Sequence, residues 1–299
     1  MPRTPVPPSL STPPPAPRFK HRLEYACFRA MAALVRALPL EAASNAMGWG
    51  WRMFAPWSSR HRRALANLQA AMPEKTEAER EAIVRAMWDN LGRVFAEEFH
   101  LKTILDEGRL ELDSKFEALL PADGRFVAGA PHLGNWELAS AGLVAVGQNT
   151  AGVFQRIKNP LIDAYVFGLR APYYPGGLIA KHESAVRRLL QHARRGGAIT
   201  TMVDLRDNFG LPVPFFGRPA PSSPFPAMAA RRLGIPLLAG QIVRLPGVRF
   251  RASLVVIDVP RTDNVDADVA VATANLQHAI ENMVRAHPEQ WMWAHRRWG

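Results

Sequence analysis

The chain has 299 residues, 48% of them apolar, with 37 Lys and Arg against 26 Asp and Glu for a formal charge of +11. That apolar share excludes global disorder and fits one large domain or a core with a helical appendage. A single cysteine, Cys27, excludes an internal disulfide framework and a cysteine-rich zinc site, and the basic balance favours acidic partners: nucleic acid, anionic lipid headgroups or an acidic carrier protein.

Residues 1–17 contain eight prolines and no apolar stretch of signal-peptide type, so they read as a disordered tail. A helical region is predicted over 18–108. Within "HRLEYACFRAMAALVRAL" (21–38), Arg22, Arg29 and Arg36 recur at seven-residue spacing and form one narrow stripe on a helix. The rest of the surface is largely apolar: Leu23, Cys27, Phe28, Met31, Leu34, Val35 and Leu38. A wide apolar arc with an arginine stripe suits a helix lying in a membrane interface. Pro39 ends it, and 41–57 continues in similar character with Trp49, Trp51 and Trp57. The region 21–57 is therefore predicted to be membrane-interfacial; an ordinary helical hairpin packed on the main domain fits the same pattern. No segment supplies the roughly 20 apolar residues that a membrane span needs. Two more helices follow over 58–100. Thr76 and Glu79 make a capping box, and Ile83, Met87, Leu91 and Val94 recur on one face.

The texture changes near 109. Short apolar runs (125–130, 151–155, 177–180 and 198–204) alternate with helical patterns, and two longer strands and a last helix follow. This predicts an α/β core over 109–299, with a central mixed sheet flanked by helices. Ligands of such folds gather beyond the carboxyl ends of the strands. The segment "GAPHLGNWELAS" (129–140) places His132 just past such an end. Gly134 lets backbone or substrate approach closely, and Asn135 is placed to cap a helix starting at Trp136. Glu137 then falls in the first turn and can fold back toward His132, leaving the other ring nitrogen as a general base. A polar strand-to-helix turn holding a satisfied histidine is the plainer alternative.

"HLGNWE" resembles the HxGNWE motif of the bacterial lipid A biosynthesis acyltransferases, the lauroyl and myristoyl transferases, within a superfamily that carries an H-x4-D/E pair. "GVFQRIKNPLID", "VDLRDNFGLPVPFFGRPAPSS" and "WMWAHRRW" resemble further family segments in the same order, so the similarity spans roughly residues 20–298. Gln155, Leu205 and the pair Ser222 and Ser223 depart from the residues the family often carries there. The resemblance implies transfer of a fatty acyl group from an acyl carrier protein thioester to a hydroxyl of a lipid A precursor. His132 would take the hydroxyl proton and Glu137 would orient it, with no covalent enzyme intermediate, no metal and no cofactor beyond the acyl-acyl carrier protein. Acyl carrier protein, the lipid A precursor and membrane lipids are the implied partners, nucleic acid is not, and the implied location is the cytoplasmic face of a bacterial inner membrane, peripheral or monotopic.

The candidate substrate-binding residues are Asn135, Arg156, Asn159, Asp204, Arg206, Phe216, Gly217 and Arg296. Arg156 could bind a phosphate of the acceptor or of phosphopantetheine, beside a turn fixed by Asn159 and Pro160; a solvated loop arginine is the alternative. Asp204 ends an apolar strand and could pair with Arg206, or simply cap the strand end. Phe215, Phe216 and Gly217 could wall an acyl channel or belong to plain core. The tail with Trp291, Trp293, Trp298, His295, Arg296 and Arg297 fits a membrane interface, stacking on nucleic acid or packing on the core. Three other functions stay open: the same reaction on a glycerophospholipid or mannosylated lipid, a non-catalytic membrane-binding protein, and a nucleic-acid-binding module.

Overall fold

The computed structural model describes residues 18–181 and 184–298; the proline-rich segment 1–17 lies outside them. Helices come first: α1 (Phe19–Ala37), α2 (Leu40–Phe54), α3 (Ser59–Ala71), α4 (Glu77–Glu97) and the short α5 (Leu101–Asp106). Pro39 separates α1 from α2, since it lacks the N–H that a continuing helix needs. Thr76 caps α4: its hydroxyl accepts from the Glu79 amide at 3.3 Å while the Glu79 carboxylate accepts from Thr76 N at 2.7 Å. Met87, Leu91 and Val94 of α4 are buried, with Ile83 partly covered.

The apolar arc of α1 is divided. Phe28, Met31, Ala32 and Val35 pack against Ala43 and Phe99. Leu23, Cys27, Ala30, Leu34 and Leu38, which share another face of the helix, are exposed. Trp49, Met53, Phe54 and Trp57 are exposed as well, whereas Trp51 stacks near Trp88 and Phe95. Among the described residues no helix is long and apolar enough to cross a membrane.

The remainder runs β1 (Leu110–Leu112), β2 (Val127–Ala130), α6 (Leu138–Ala145), β3 (Thr150–Phe154), α7 (Pro160–Arg170), β4 (Gly177–Ala180), α8 (Ala185–Arg194), β5 (Ala198–Met202), the hairpin β6 (Leu211–Phe215) and β7 (Arg218–Ser222), α9 (Phe225–Leu233), β8 (Leu237–Leu245), β9 (Arg249–Ile257) and α10 (Val265–Ala286). Seven strands form one sheet in the order β1-β9-β8-β2-β5-β3-β4. From β8 to β4 neighbours are parallel; β9 is antiparallel to β8 and parallel to β1, which makes the sheet mixed. Side chains alternate across it. Phe126 and Ala128 pack with Leu138 and Leu143 of α6 on one face, while Val127 turns to the other face, where α8, α9 and α10 lie. The expected α/β architecture is thus present. Arg29, the middle of the α1 arginine stripe, sits 5.1 Å from the Tyr165 ring centroid on α7, a cation–π contact that ties α1 to the core.

One register sets the rest. β2 and β5 pair so that Ala130 lies opposite Met202. His132 and Asp204 each lie two residues beyond that pair, past adjacent carboxyl ends of the parallel sheet.

Candidate active site

The partner of His132 is Asp204. Nδ1 of His132 lies 2.7 Å from Asp204 Oδ1, and the other carboxylate oxygen accepts from His132 N and from Trp291 Nε1, both at 2.8 Å. Asp204 is fully buried. Burial alone would raise its pKa, but the His132 charge and these hydrogen bonds hold it well below the usual carboxylate range. Burial likewise disfavours imidazolium at His132, yet the charge and hydrogen bond of Asp204, with a smaller effect of Glu137, raise its pKa above the ordinary value. With Nδ1–H given to Asp204, Nε2 has no partner among the described residues. The side chain is 14% exposed, so the ring edge is reachable.

The loop carrying His132 is fastened from below. Gly134 has φ +59°, and a Cβ there would sit 1.9 Å from the Ile242 carbonyl oxygen, so a side chain is excluded by both conformation and space. Asn90 donates to the Gly134 carbonyl at 2.9 Å. Asn135 donates at 2.9 Å to Glu97, a carboxylate with no solvent exposure. Glu97 is held by a two-pronged pair with Arg244, at 2.6 and 2.8 Å, and by the Ser44 hydroxyl at 2.7 Å. Residues 290–292 run alongside: Leu133 bridges Trp291, and Gly134 N donates to the Gln290 carbonyl.

Glu137 does not reach Nδ1, contrary to the local reading. It accepts from Arg170 Nη2 at 2.6 Å and from Trp136 Nε1 at 3.0 Å. Arg170 Nε in turn lies 3.0 Å from Glu98. One guanidinium therefore serves two partly buried carboxylates beside the imidazole. Burial, then the Glu137 charge, push Glu98 up to about 7, against the opposing pull of Arg170. Because this folded value exceeds the ordinary 4.5, the contribution of Glu98 to stability is present below the unfolded value and is lost as pH rises toward about 7. The substitution Glu98→Gln removes that dependence. The stability of the variant relative to the native protein should rise between pH 5 and 8 in urea titrations at each pH.

A cavity opens beside this site and runs between α6 and the sheet. Its lining includes Ala130, Met202, Ala139 and Ser140 close in sequence to His132, Asp204 and Glu137, together with Ala128, Leu143, Ala252 and Leu254. Its volume is about 50 Å³, and most of its lining surface is apolar. Small residues on three adjacent strands, Ala128, Gly240 and Ala252, leave the room that α6 does not fill. A partly accessible base on a loop next to an apolar cavity suits proton removal from a polar group joined to, or meeting, an alkyl chain.

The profile of the bacterial lipid A biosynthesis acyltransferases matches residues 15–299. The chain belongs to that family. It is 28% identical over 284 residues to the phosphatidylinositol mannoside acyltransferase of Mycobacterium tuberculosis, covering 88% of this chain and 85% of the relative. It is 26% identical over 247 residues to the lipid A biosynthesis myristoyltransferase of Escherichia coli, covering 79% and 74%. A lipid A biosynthesis acyltransferase of Shigella flexneri is 25% identical over 249 residues, covering 78% and 75%. The protein is thus an acyltransferase of the lipid A biosynthesis family, as the resemblance of its motifs implied.

In this family member the remaining candidates fall in different places. Asn135 accepts from Glu137 N at 3.2 Å, and α6 begins at Leu138, two residues later than expected, because the Asn135 side chain is also committed to Glu97. Asn159 caps α7 and donates to the α1 backbone at His21 and to Glu24. Arg156 is largely exposed and reaches Asp163 at 3.4 Å. Arg206 is exposed and does not pair with Asp204, whose oxygens are taken by His132 and Trp291. Phe216 and Gly217, with φ of 52° and 68°, form the tight turn between β6 and β7. Phe215 and Phe216 pack with Trp291, Trp293 and Trp298 as core, away from the α6 cavity. In the tail, Arg296 is exposed, while Arg297 is fully buried and donates to Pro221 O, Ser222 and Gln277. Glu97, Glu98, Arg170, Arg244 and Trp291 complete the surroundings of His132, and local sequence patterns gave no role to the first four.

Proposed function

We propose that the protein transfers a fatty acyl group from acyl carrier protein to a hydroxyl of a lipid A precursor at the cytoplasmic face of the inner membrane. The observation that carries this reading is the His132–Asp204 pair, with Nε2 unengaged among the described residues, on a loop that leaves the strand lining the apolar cavity. Nε2 takes the proton of the acceptor hydroxyl as its oxygen attacks the thioester carbonyl. The tetrahedral intermediate then collapses and expels the thiolate, which recovers the proton from the imidazolium. An ester and a free thiol result. Asp204 keeps the imidazole in the tautomer that this requires and stabilises the charged form. The acyl chain lies in the α6 cavity. Glu137, bound to Arg170, supplies negative potential next to His132 rather than a direct hydrogen bond.

The exposed apolar stripe of α1 and the tryptophans at 49 and 57 support seating on a bilayer. The rim of the site has the same character. Ile157, Leu205 and the 97% exposed Phe209 alternate with Arg156, Lys158 and Arg206 beyond the carboxyl ends of β3 and β5. A second acceptor, a mannosylated phosphoinositide, is favoured by the mycobacterial relative, which aligns over most of both chains.

The test uses purified protein, acyl carrier protein or coenzyme A thioesters as donor, and each acceptor in mixed micelles, with products read by mass spectrometry. The lipid A precursor should gain one acyl group, and His132→Ala should slow this by about 10³-fold or more, the scale of general-base catalysis. Esterification of the mannosylated acceptor alone would select the second reading. Folded protein that acylates neither acceptor would defeat both.

A further inference from the structure

We propose that the arginine face of α8 docks the acidic surface of the acyl carrier protein that brings the acyl thioester to His132. This rests on the reading of a carrier-bound thioester as the donor. The helix has two unlike sides. Ala185, Leu189, Leu190 and Ala193 are buried in the core shared with α9 and α10, and His192 Nε2 donates to the Asn149 carbonyl at 2.9 Å. The other side carries Arg187, Arg188, Gln191, Arg194 and Arg195, all exposed. Spacings of three and four residues join them into one strip about 12 Å long at the rise of an α-helix.

The strip lacks counter-charge. No acidic residue occurs from Ser184 to Val203, and none of the four arginines forms an ion pair among the described residues. On α4, by contrast, Arg85 and Arg93 each pair with a carboxylate one turn earlier. Helix stability does not account for the arrangement. Arg194 and Arg195 suit the negative end of the helix dipole, but Arg187 and Arg188 lie near the amino end, where positive charge opposes it. A row of carboxylates on a partner supplies what the chain omits. That partner is a protein rather than a bilayer. Val186 is the only large apolar side chain exposed on α8, whereas the surface read as seating on lipid presents Leu23, Leu34, Trp49 and Trp57.

The position fits delivery. α8 follows β4, packs on β3 and β5, and begins at the carboxyl edge of the sheet. β5 adjoins β2, the strand that leads to His132. Arg187 and Arg188 therefore stand toward the catalytic edge, and a carrier docked along the strip extends its flexible thioester arm over the ends of β5 and β2.

The experiment compares native protein with two charge reversals, Arg187→Glu with Arg188→Glu and Arg194→Glu with Arg195→Glu, and with the matching Arg→Lys pairs. Two donors are used: acyl carrier protein thioester and the corresponding acyl-pantetheine, which has no protein. Each reversal should raise KM for the carrier thioester by about tenfold or more, leave kcat near native, and leave acyl-pantetheine kinetics unchanged; lysine should restore most of the affinity. Added salt should weaken carrier use by the native protein more than by the reversals. A purely structural role predicts otherwise, because glutamate at 187 and 188 favours the helix. Calorimetric titration with acyl carrier protein reads docking without turnover. If the native protein binds the carrier through α8 but acylates neither acceptor, the functional reading falls and the docking surface stands. Equal losses with both donors, unchanged carrier binding in the reversals, or reversals that lose only binding to anionic phosphatidylglycerol vesicles would overturn the proposal.

Discussion

Asp204→Asn should lower kcat by on the order of 10⁴-fold, the scale seen when the carboxylate of a Ser-His-Asp triad becomes an amide. The reason is a count of donors. Asp204 Oδ2 accepts from His132 N and Trp291 Nε1, and Oδ1 accepts from His132 Nδ1. Asparagine has one oxygen, and it satisfies most donors in the Oδ2 position. The amide NH2 then faces Nδ1, which must become an acceptor, and the ring proton moves to Nε2. The base is lost while the fold keeps two of its three hydrogen bonds. The thermal midpoint should change little. Asp204 also holds the His132 pKa above its ordinary value, so the native rate should rise with pH through a midpoint on the alkaline side of an ordinary histidine. In the variant the residual rate should rise at lower pH. An Asp204→Asn protein with near-native kcat would remove Asp204 from the mechanism.

Arg244→Met should destabilise the protein by about 3–5 kcal/mol, the cost of leaving a buried carboxylate unpaired. Glu97 has no solvent exposure, and Arg244 supplies two of its four donors. Methionine keeps much of the volume and removes all the charge. The effect should reach the site, because Glu97 also holds Asn135 and Arg244 donates to Asn90, which anchors the Gly134 carbonyl. A fall in Tm of about 10 °C should accompany a lower kcat. The paired replacement Glu97→Leu with Arg244→Met should recover part of the stability but not the rate, since Asn135 would still lack its acceptor. Equal recovery of both would show that the pair acts only on the fold.

The sheet was legible where its signals were local. The run at 177–180 is β4, the Thr76 capping box starts α4, and the motif at 132–137 does follow a strand. The hydrogen-bond partner of His132 was misread because spacing within one segment favours Glu137. Strand pairing instead brings Asp204 alongside, and no local pattern encodes which strands become neighbours. Glu97 and Glu98 were missed for a related reason. Two acids at the end of an amphipathic helix read as a solvated terminus, and only Arg244 and Arg170, both distant in sequence, make their burial tolerable. The aromatic tail was ambiguous by composition. Packing of Trp291 against Phe215 and its bond to Asp204 resolve it as core.

The stitching of residues 290–292 onto the His132 loop has a consequence for biogenesis. During synthesis the imidazole leaves the ribosome long before the indole that steadies its carboxylate. Until the tail is in place the Asp204 carboxylate lacks one of its three donors, and contacts so remote in sequence form slowly. A nick or fusion near Trp291 would therefore loosen the His132 loop along with the tail.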